Sequence, residues 1–199
     1  MTESSSLTCS IGGADYVERP SSVGVPVPIV DVRLVDEQGG DVPVGEVGEI
    51  WIGGATVVPG YWRRPEATAE TFGGGWLRSG DLGRYDEEGY LYIVDRAKDM
   101  IIRGGENISS LEVEAALYQH PAVNEAAAFP IPHPTLGEEV GAVVHLKDGS
   151  QATVDELRQH AIEVLAPFKV PAHIWLHDEP FPRGATGKIQ KRELKAAYT

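Results

Sequence analysis

Apolar and polar positions alternate over residues 30–34, with Val30, Val32 and Leu34 set against Asp31 and Arg33. A period of two marks a half-buried strand, because successive strand side chains point to opposite faces. The run ends in Asp36-Glu37-Gln38-Gly39-Gly40, a cluster of turn formers. Residues 47–52 and 90–94 are rich in β-branched and aromatic side chains and read as further short strands. Residues 66–72 are the one helix expected in this half. Strands at close spacing, separated by Gly/Pro turns, predict a small β-rich unit, barrel-like or sandwiched.

The pattern changes in the second half. Ser109 with Glu112, and Thr153 with Glu156, have capping-box spacing and predict helices running to about Tyr118 and Leu165. Val154, Leu157, Ile162 and Leu165 give the second helix an apolar stripe. Residues 123–129 and 140–146 read as strands, joined by a loop over 130–137 that holds Pro130, Pro132 and Pro134. The fold class is therefore α+β: a β-rich subdomain over residues 1–96, then a compact α+β domain over 97–199 with helices on a small sheet. The boundary falls near Arg96 to Asp99, where the strand-rich half stops. There is no internal repeat.

Composition narrows the partners. A chain of 199 residues buries one core of moderate size or two small ones, and its 42% hydrophobic and 24% charged content is ordinary for a globular protein. A net charge of −13 argues against nucleic acid, which demands a basic stripe. The charge is uneven: residues 1–96 hold 16 acidic and 7 basic side chains, residues 97–199 hold 14 and 10. From Arg183 onward five basic residues face only Glu193, a local cationic tail on an acidic body. The single Cys9 excludes an intrachain disulfide and, with no long apolar run and no signal-peptide pattern, the expected setting is cytoplasmic. No feature specifies an oligomeric state.

Lys188 closes a Gly184-Ala185-Thr186-Gly187-Lys188 segment. Glycines let the backbone approach a ligand through positive φ, and an ammonium suits a phosphate or carboxylate oxygen; alone, such a segment is as readily a solvated turn. Other segments accompany it in a fixed order. They are Met1-Thr2-Glu3; Gly48-Glu49-Ile50-Trp51 leading to Pro59-Gly60-Tyr61-Trp62; Ser79-Gly80-Asp81-Leu82-Gly83; residues 89–108, ending Gly104-Gly105-Glu106-Asn107-Ile108; and Pro167-Phe168-Lys169 before the lysine loop. Together they resemble the signature set of the adenylate-forming superfamily, which holds acyl-CoA synthetases, adenylation domains of peptide synthetases and firefly luciferase. The family's Ser/Thr/Gly-rich phosphate loop ending in Pro-Lys-Gly has no counterpart here, and Met1 falls where the family has a methionine inside Gly-Met-Thr-Glu. The expectation is a C-terminal fragment of a larger enzyme, whose remaining N-terminal part is its natural partner.

The resemblance implies roles. Thr2 would hydrogen-bond the adenylate phosphate and Glu3 would help hold Mg2+, unless both belong to a loose terminus. Asp81 would bind the ribose hydroxyls, with an Asx-turn as the plainer reading. Arg96 would reach the ribose or phosphate, and Ile93 would pack near the nucleotide or else point into the core. Lys188 would stabilise the charge that develops as carboxylate and ATP α-phosphate meet. Lys98 aligns with the family hinge, and Gly104, Gly105 and Glu106 with the CoA channel; a charged surface turn and a β-turn are the bland alternatives. His133, between two prolines, reads as structural. The Gly-Gly-Glu-Asn form looks like that of acyl-CoA synthetases. The implied activity is ATP-dependent activation of a carboxylic acid, fatty or related, and its transfer to CoA, with the phosphate loop's absence leaving residues 1–199 inactive alone. The alternatives are a non-catalytic remnant or interaction module, and an adenylation domain that loads a carrier protein.

Overall fold

The computed structural model describes all residues from Met1 to Thr199. They form two compact units, Met1–Lys98 and Asp99–Thr199.

The first unit contains β1 (Cys9–Ser10), α1 (Gly13–Glu18), β2 (Val25–Pro26), β3 (Val30–Val35), β4 (Gly48–Gly54), α2 (Pro65–Thr71), β5 (Phe72–Gly73), β6 (Trp76–Tyr85) and β7 (Leu91–Arg96). β3, β4 and β6 pair antiparallel in that order, and β5 and β7 both add to β6. A short chain stretch reaches the β7 edge through the Gly24–Leu91 bridge, pairs as β2 with β1 and leads into β3. The bridge thus extends the pairing past the β7 edge of the five-stranded sheet, and β1 with β2 forms a separate small sheet. The five-stranded sheet's inward residues Val30, Leu34, Ile50, Ile52, Leu77 and Leu91 make one core, each burial contributing roughly 1.5–3 kcal/mol. Asp36 fixes the turn after β3, its Oδ1 accepting from the Gln38 and Gly40 N–H groups at 2.9 and 2.8 Å.

Two features of this unit depart from expectation. The predicted helix is present as α2, with Pro65 at its start, but α1 is a second one. It buries no residue, so it leaves no apolar stripe to read. β6, the longest strand of the unit, was hidden because Ser79, Gly80, Asp81 and Gly83 are poor strand formers. Pairing on both sides overrides that weakness.

The second unit contains β8 (Ile101–Arg103), β9 (Glu106–Ile108), α3 (Ser110–Tyr118), β10 (Val123–His133), β11 (Gly137–Leu146), α4 (Val154–Val164), β12 (His173–Leu176) and α5 (Lys191–Tyr198). β11 is central, antiparallel to β10 and β8 and parallel to β12. Ala126, Ala128, Val140, Ala142 and Val144 pack on one side with Val113 and Leu117 of α3 and Leu157 and Ala161 of α4. Ala127, Phe129 and Val143 pack on the other side with Leu194 of α5 and with Phe181 of the segment before it. A sheet covered on both faces explains the unbroken apolar runs.

The helix starts follow the caps. Thr153 and Glu156 form the reciprocal capping box; Ser109 Oγ accepts the Glu112 N–H at 3.3 Å, and the Glu112 carboxylate pairs with Lys169. Ile162, expected in the α4 stripe, is 52% exposed, and Ala161 takes the core position. The expected loop over 130–137 is mostly strand: β10 runs to His133, which pairs with Gly137. Pro130 and Pro132 are tolerated because β10 is an edge strand. His133 Nδ1 accepts from the Leu136 N–H at 3.2 Å and closes the turn, a structural use.

Candidate active site

β6 and β7 bring two of the expected nucleotide ligands together. Asp81 and Arg96 are register partners, and Arg96 Nε donates to Asp81 Oδ1 at 3.1 Å. Gly80, at φ +71°, supplies the bend in β6 just before Asp81, where the strand shifts register against β4. Three contacts fix the bend: the Gly80 N–H donates to Glu49 Oε1 at 3.0 Å, its carbonyl accepts from the Ala97 N–H at 2.9 Å, and the Asp81 N–H donates to Ser79 Oγ at 3.0 Å. Glu49 is held in turn by the Trp51 indole at 2.8 Å. The Asp81 carboxylate faces Arg96 instead of closing an Asx-turn. With side chains 32% and 48% exposed, the pair adds at most about 1 kcal/mol to the fold and remains open to a ligand.

A cavity of about 240 Å3 lies beside this pair in the first unit, lined by Asp81, Ser79, Ile93, Cys9, Leu91 and Met1 among others. Its wall is mostly apolar with one carboxylate at hand, a surface suited to a flat ring attached to a hydroxylated sugar. Ile93 is 48% exposed, so it is a cavity residue and not a core one. Burial raises the Cys9 thiol to about 11, which makes it a quiet wall residue.

The first residues are fastened to the same unit. Thr2–Ser4 form a 3-10 turn, the Val58 N–H donates to the Glu3 carbonyl at 2.9 Å, and Tyr61 Oη donates to Glu3 Oε1 at 3.0 Å. Burial and the bond to Glu3 raise the Tyr61 phenol above its ordinary value, so it stays a donor at neutral pH. Thr2 is exposed, and neither Thr2 nor Glu3 lines the cavity. No three His, Cys, Asp or Glu side chains gather into a cation cage. Glu3 is nonetheless a fitting donor for Mg2+, which typically takes one or two carboxylates and leaves its other positions to phosphate and water.

In the second unit, residues 183–189 form a small hairpin closed by the Arg183–Ile189 bridge. The Gly184 N–H donates to the Lys188 carbonyl at 2.9 Å, and the Gly187 N–H to the Gly184 carbonyl at 2.9 Å. Only Gly187, at φ +78°, uses the positive-φ freedom expected of both glycines. Lys188 is exposed, and its ammonium has no ion pair within the chain. Lys191, three residues on, is spoken for: it reaches Glu114 at 2.6 Å and Ser110 at 2.9 Å.

Gly104 and Gly105, at φ +59° and +91°, are the two-residue turn between β8 and β9. Positive φ at both positions is what such hairpins need. The plain reading of a β-turn therefore holds locally, and Glu106 projects beside it, exposed. A Cβ on Gly105 would meet nothing within 4 Å, so the backbone there is bare. Lys98 lies in an exposed turn after β7, where the first unit ends.

The AMP-binding enzyme family matches residues 1–62, and the AMP-binding enzyme C-terminal domain matches residues 112–188. The chain belongs to these adenylate-forming enzymes. It is 44% identical over 198 residues to a feruloyl-CoA synthase of an Amycolatopsis species, a match that takes in 100% of this chain and 40% of that protein. Among solved structures it is similar to o-succinylbenzoate CoA synthetase of Bacillus subtilis in complex with its acyl-adenylate intermediate, at 35% identity and a TM-score of 0.91, covering 98% of this chain and 40% of the other. An amide bond synthetase of Marinactinospora thermotolerans matches at 38% identity and a TM-score of 0.81, over 92% and 37%. The chain spans about two-fifths of the length of these relatives.

Proposed function

We propose that residues 1–199 are the C-terminal part of an AMP-forming acid–thiol ligase, which joins a carboxylic acid to AMP and passes the acyl group to CoA. The observation that carries this is the open Asp81–Arg96 pair beside the cavity that Ile93 lines. In this reading the ribose hydroxyls of ATP donate to Asp81, freeing Arg96 for the ribose or α-phosphate. Ile93 and the apolar wall take the nucleotide's flat face. Thr2 hydrogen-bonds the phosphate and Glu3 holds Mg2+, which would neutralise phosphate charge when bound.

Lys188 acts in the first half-reaction. The acid's carboxylate attacks the α-phosphorus, pyrophosphate leaves, and negative charge on the oxygens between them is greatest in the transition state. An unpaired ammonium delivered there stabilises that state more than the ground state, which raises kcat. In the second half-reaction the CoA thiolate attacks the acyl carbon and AMP leaves. The bare Gly104–Gly105 turn and Glu106 line the route of the thiol arm, and Lys98 is the hinge that exchanges the two arrangements.

The long-chain-fatty-acid–CoA ligase of Bacillus subtilis, 45% identical over 177 residues, supports a fatty or related acid as substrate. The single half-buried Cys9 suits a reducing, cytoplasmic setting, and no helix is long and apolar enough to cross a membrane. The amide bond synthetase likeness favours a second acceptor, an amine. The complete polypeptide from the reading frame that holds these residues decides among these: acid-dependent pyrophosphate release with acyl-CoA as product supports the proposal, an amide product supports the second reading, and no pyrophosphate release from any acid refutes both.

A further inference from the structure

The Lys188 hairpin is tied to the sheet beneath it by a buried carboxylate. Glu125 shares a face of β10 with Ala127 and Phe129, in a row that is otherwise apolar core, and is 7% exposed. Its Oε2 accepts the Phe181 N–H at 2.8 Å, and its Oε1 pairs with the Arg183 guanidinium. The same guanidinium donates from its other terminal nitrogen to the Gly187 carbonyl at 2.7 Å. That carbonyl belongs to the peptide bond that enters Lys188.

Burying a carboxylate is costly, and an ion pair in such a place usually contributes geometry more than stability. Two of the three partners of Glu125 lie in the segment that leads to Lys188; the third, His145 on the neighbouring β11, sits with Nδ1 3.6 Å from Oε2. Arginine suits the task because its planar fork holds two acceptors in a fixed relation, where an ammonium would hold them loosely. The Lys188 carbonyl is fixed separately by the Gly184 N–H. Both peptide units flanking Lys188 are thereby set, and only its own side chain remains free to move.

We propose that Glu125 and Arg183 are positioning residues for adenylation: they hold the Gly187–Lys188 peptide so that the lysine ammonium meets the reacting oxygens. This rests on the role proposed above for Lys188. Small misplacement of a charge that acts in a transition state lowers rate more than affinity.

The test uses the complete enzyme, with adenylation followed by pyrophosphate release and the second half-reaction by supplying acyl-adenylate and CoA. Arg183→Ala should lower the adenylation kcat about 10–100-fold, leave the KM for ATP within about twofold, and spare the second half-reaction. Arg183→Lys should recover only part of the loss. In a Lys188→Ala background, Arg183→Ala should cost nothing further, because it acts through the lysine. Glu125→Gln should follow Arg183→Ala and speed amide exchange at Gly184 and Gly187 in the complete enzyme. Full adenylation by Arg183→Ala, or an equal loss with and without Lys188, overturns the proposal. If Lys188→Ala alone leaves adenylation intact, the underlying reading of the lysine has failed and the proposal falls with it.

Discussion

Asp81 and Arg96 face each other across β6 and β7 with 3.1 Å between Oδ1 and Nε, yet both stay open to solvent. An ion pair that contributes little to the fold but sits beside a cavity is placed for exchange with a ligand. Asp81→Asn in the complete enzyme should raise the KM for ATP about 10–100-fold, the range of a hydrogen bond to a charged group. Its thermal midpoint should stay within a few degrees of the parent. Unchanged ATP affinity would refute the ribose role.

Lys188 separates the two half-reactions. Lys188→Ala should reduce adenylation by roughly a thousandfold, comparable to removing a preorganised electrostatic group from a transition state. Thioester formation from supplied acyl-adenylate should stay near normal. Equal loss in both half-reactions would contradict a role confined to the first.

The sequence displays features that are local in their physics. β3 shows a period of two, and the Thr153 capping box spans four consecutive positions, so both are legible from a window of a few residues. β6 is not, since its Ser, Gly and Asp content disfavours a strand and its pairing with β4 and β7 decides the matter. The choice of Ala161 over Ile162 for the core depends likewise on the face α3 and the sheet present to α4. Within the site, Asp81 and Lys188 stand in recognisable motifs. Arg183 lies in the same motif as Lys188, but its partner Glu125 is 58 positions away and carries no mark.

The turn at Lys98 ends the first unit. Proline fixes φ and removes a backbone donor, so Lys98→Pro should favour one arrangement of the catalytic cycle and slow one half-reaction at least tenfold more than the other. Rapid-mixing measurements of both steps check this. Equal rates for both, each matching the parent, would remove Lys98 as the hinge.

Glu139 makes the second unit's stability depend on acid pH. Burial alone would raise its pKa, but the Arg103 guanidinium at 2.6 Å and the Val140 N–H at 3.3 Å hold it below the ordinary 4.5. The unfolded chain then binds the proton more readily, so this contribution is full above about pH 4.5 and fades as pH falls through the lower folded value. Glu139→Gln should cost about 1–3 kcal/mol near neutral pH. The gap in urea midpoint between parent and variant should narrow as pH drops below about 4.5; a gap that widens with acid would reverse the assignment.

The 199-residue polypeptide tests how the nucleotide's affinity is divided. It supplies Asp81 and Arg96 for the ribose, the apolar wall at Ile93 and the ammonium of Lys188, but its sequence holds no Ser/Thr/Gly-rich loop ending in Pro-Lys-Gly for the triphosphate. Each 1.4 kcal/mol is a factor of ten, so losing two or three charge-assisted phosphate contacts carries a micromolar ligand into the millimolar range. Titration calorimetry with ATP and Mg2+ should show binding no tighter than about millimolar, weakened further by Asp81→Asn. Pyrophosphate should not be released on adding carboxylic acids. Micromolar binding, or release that depends on the acid, would mean that these residues hold the triphosphate without that loop.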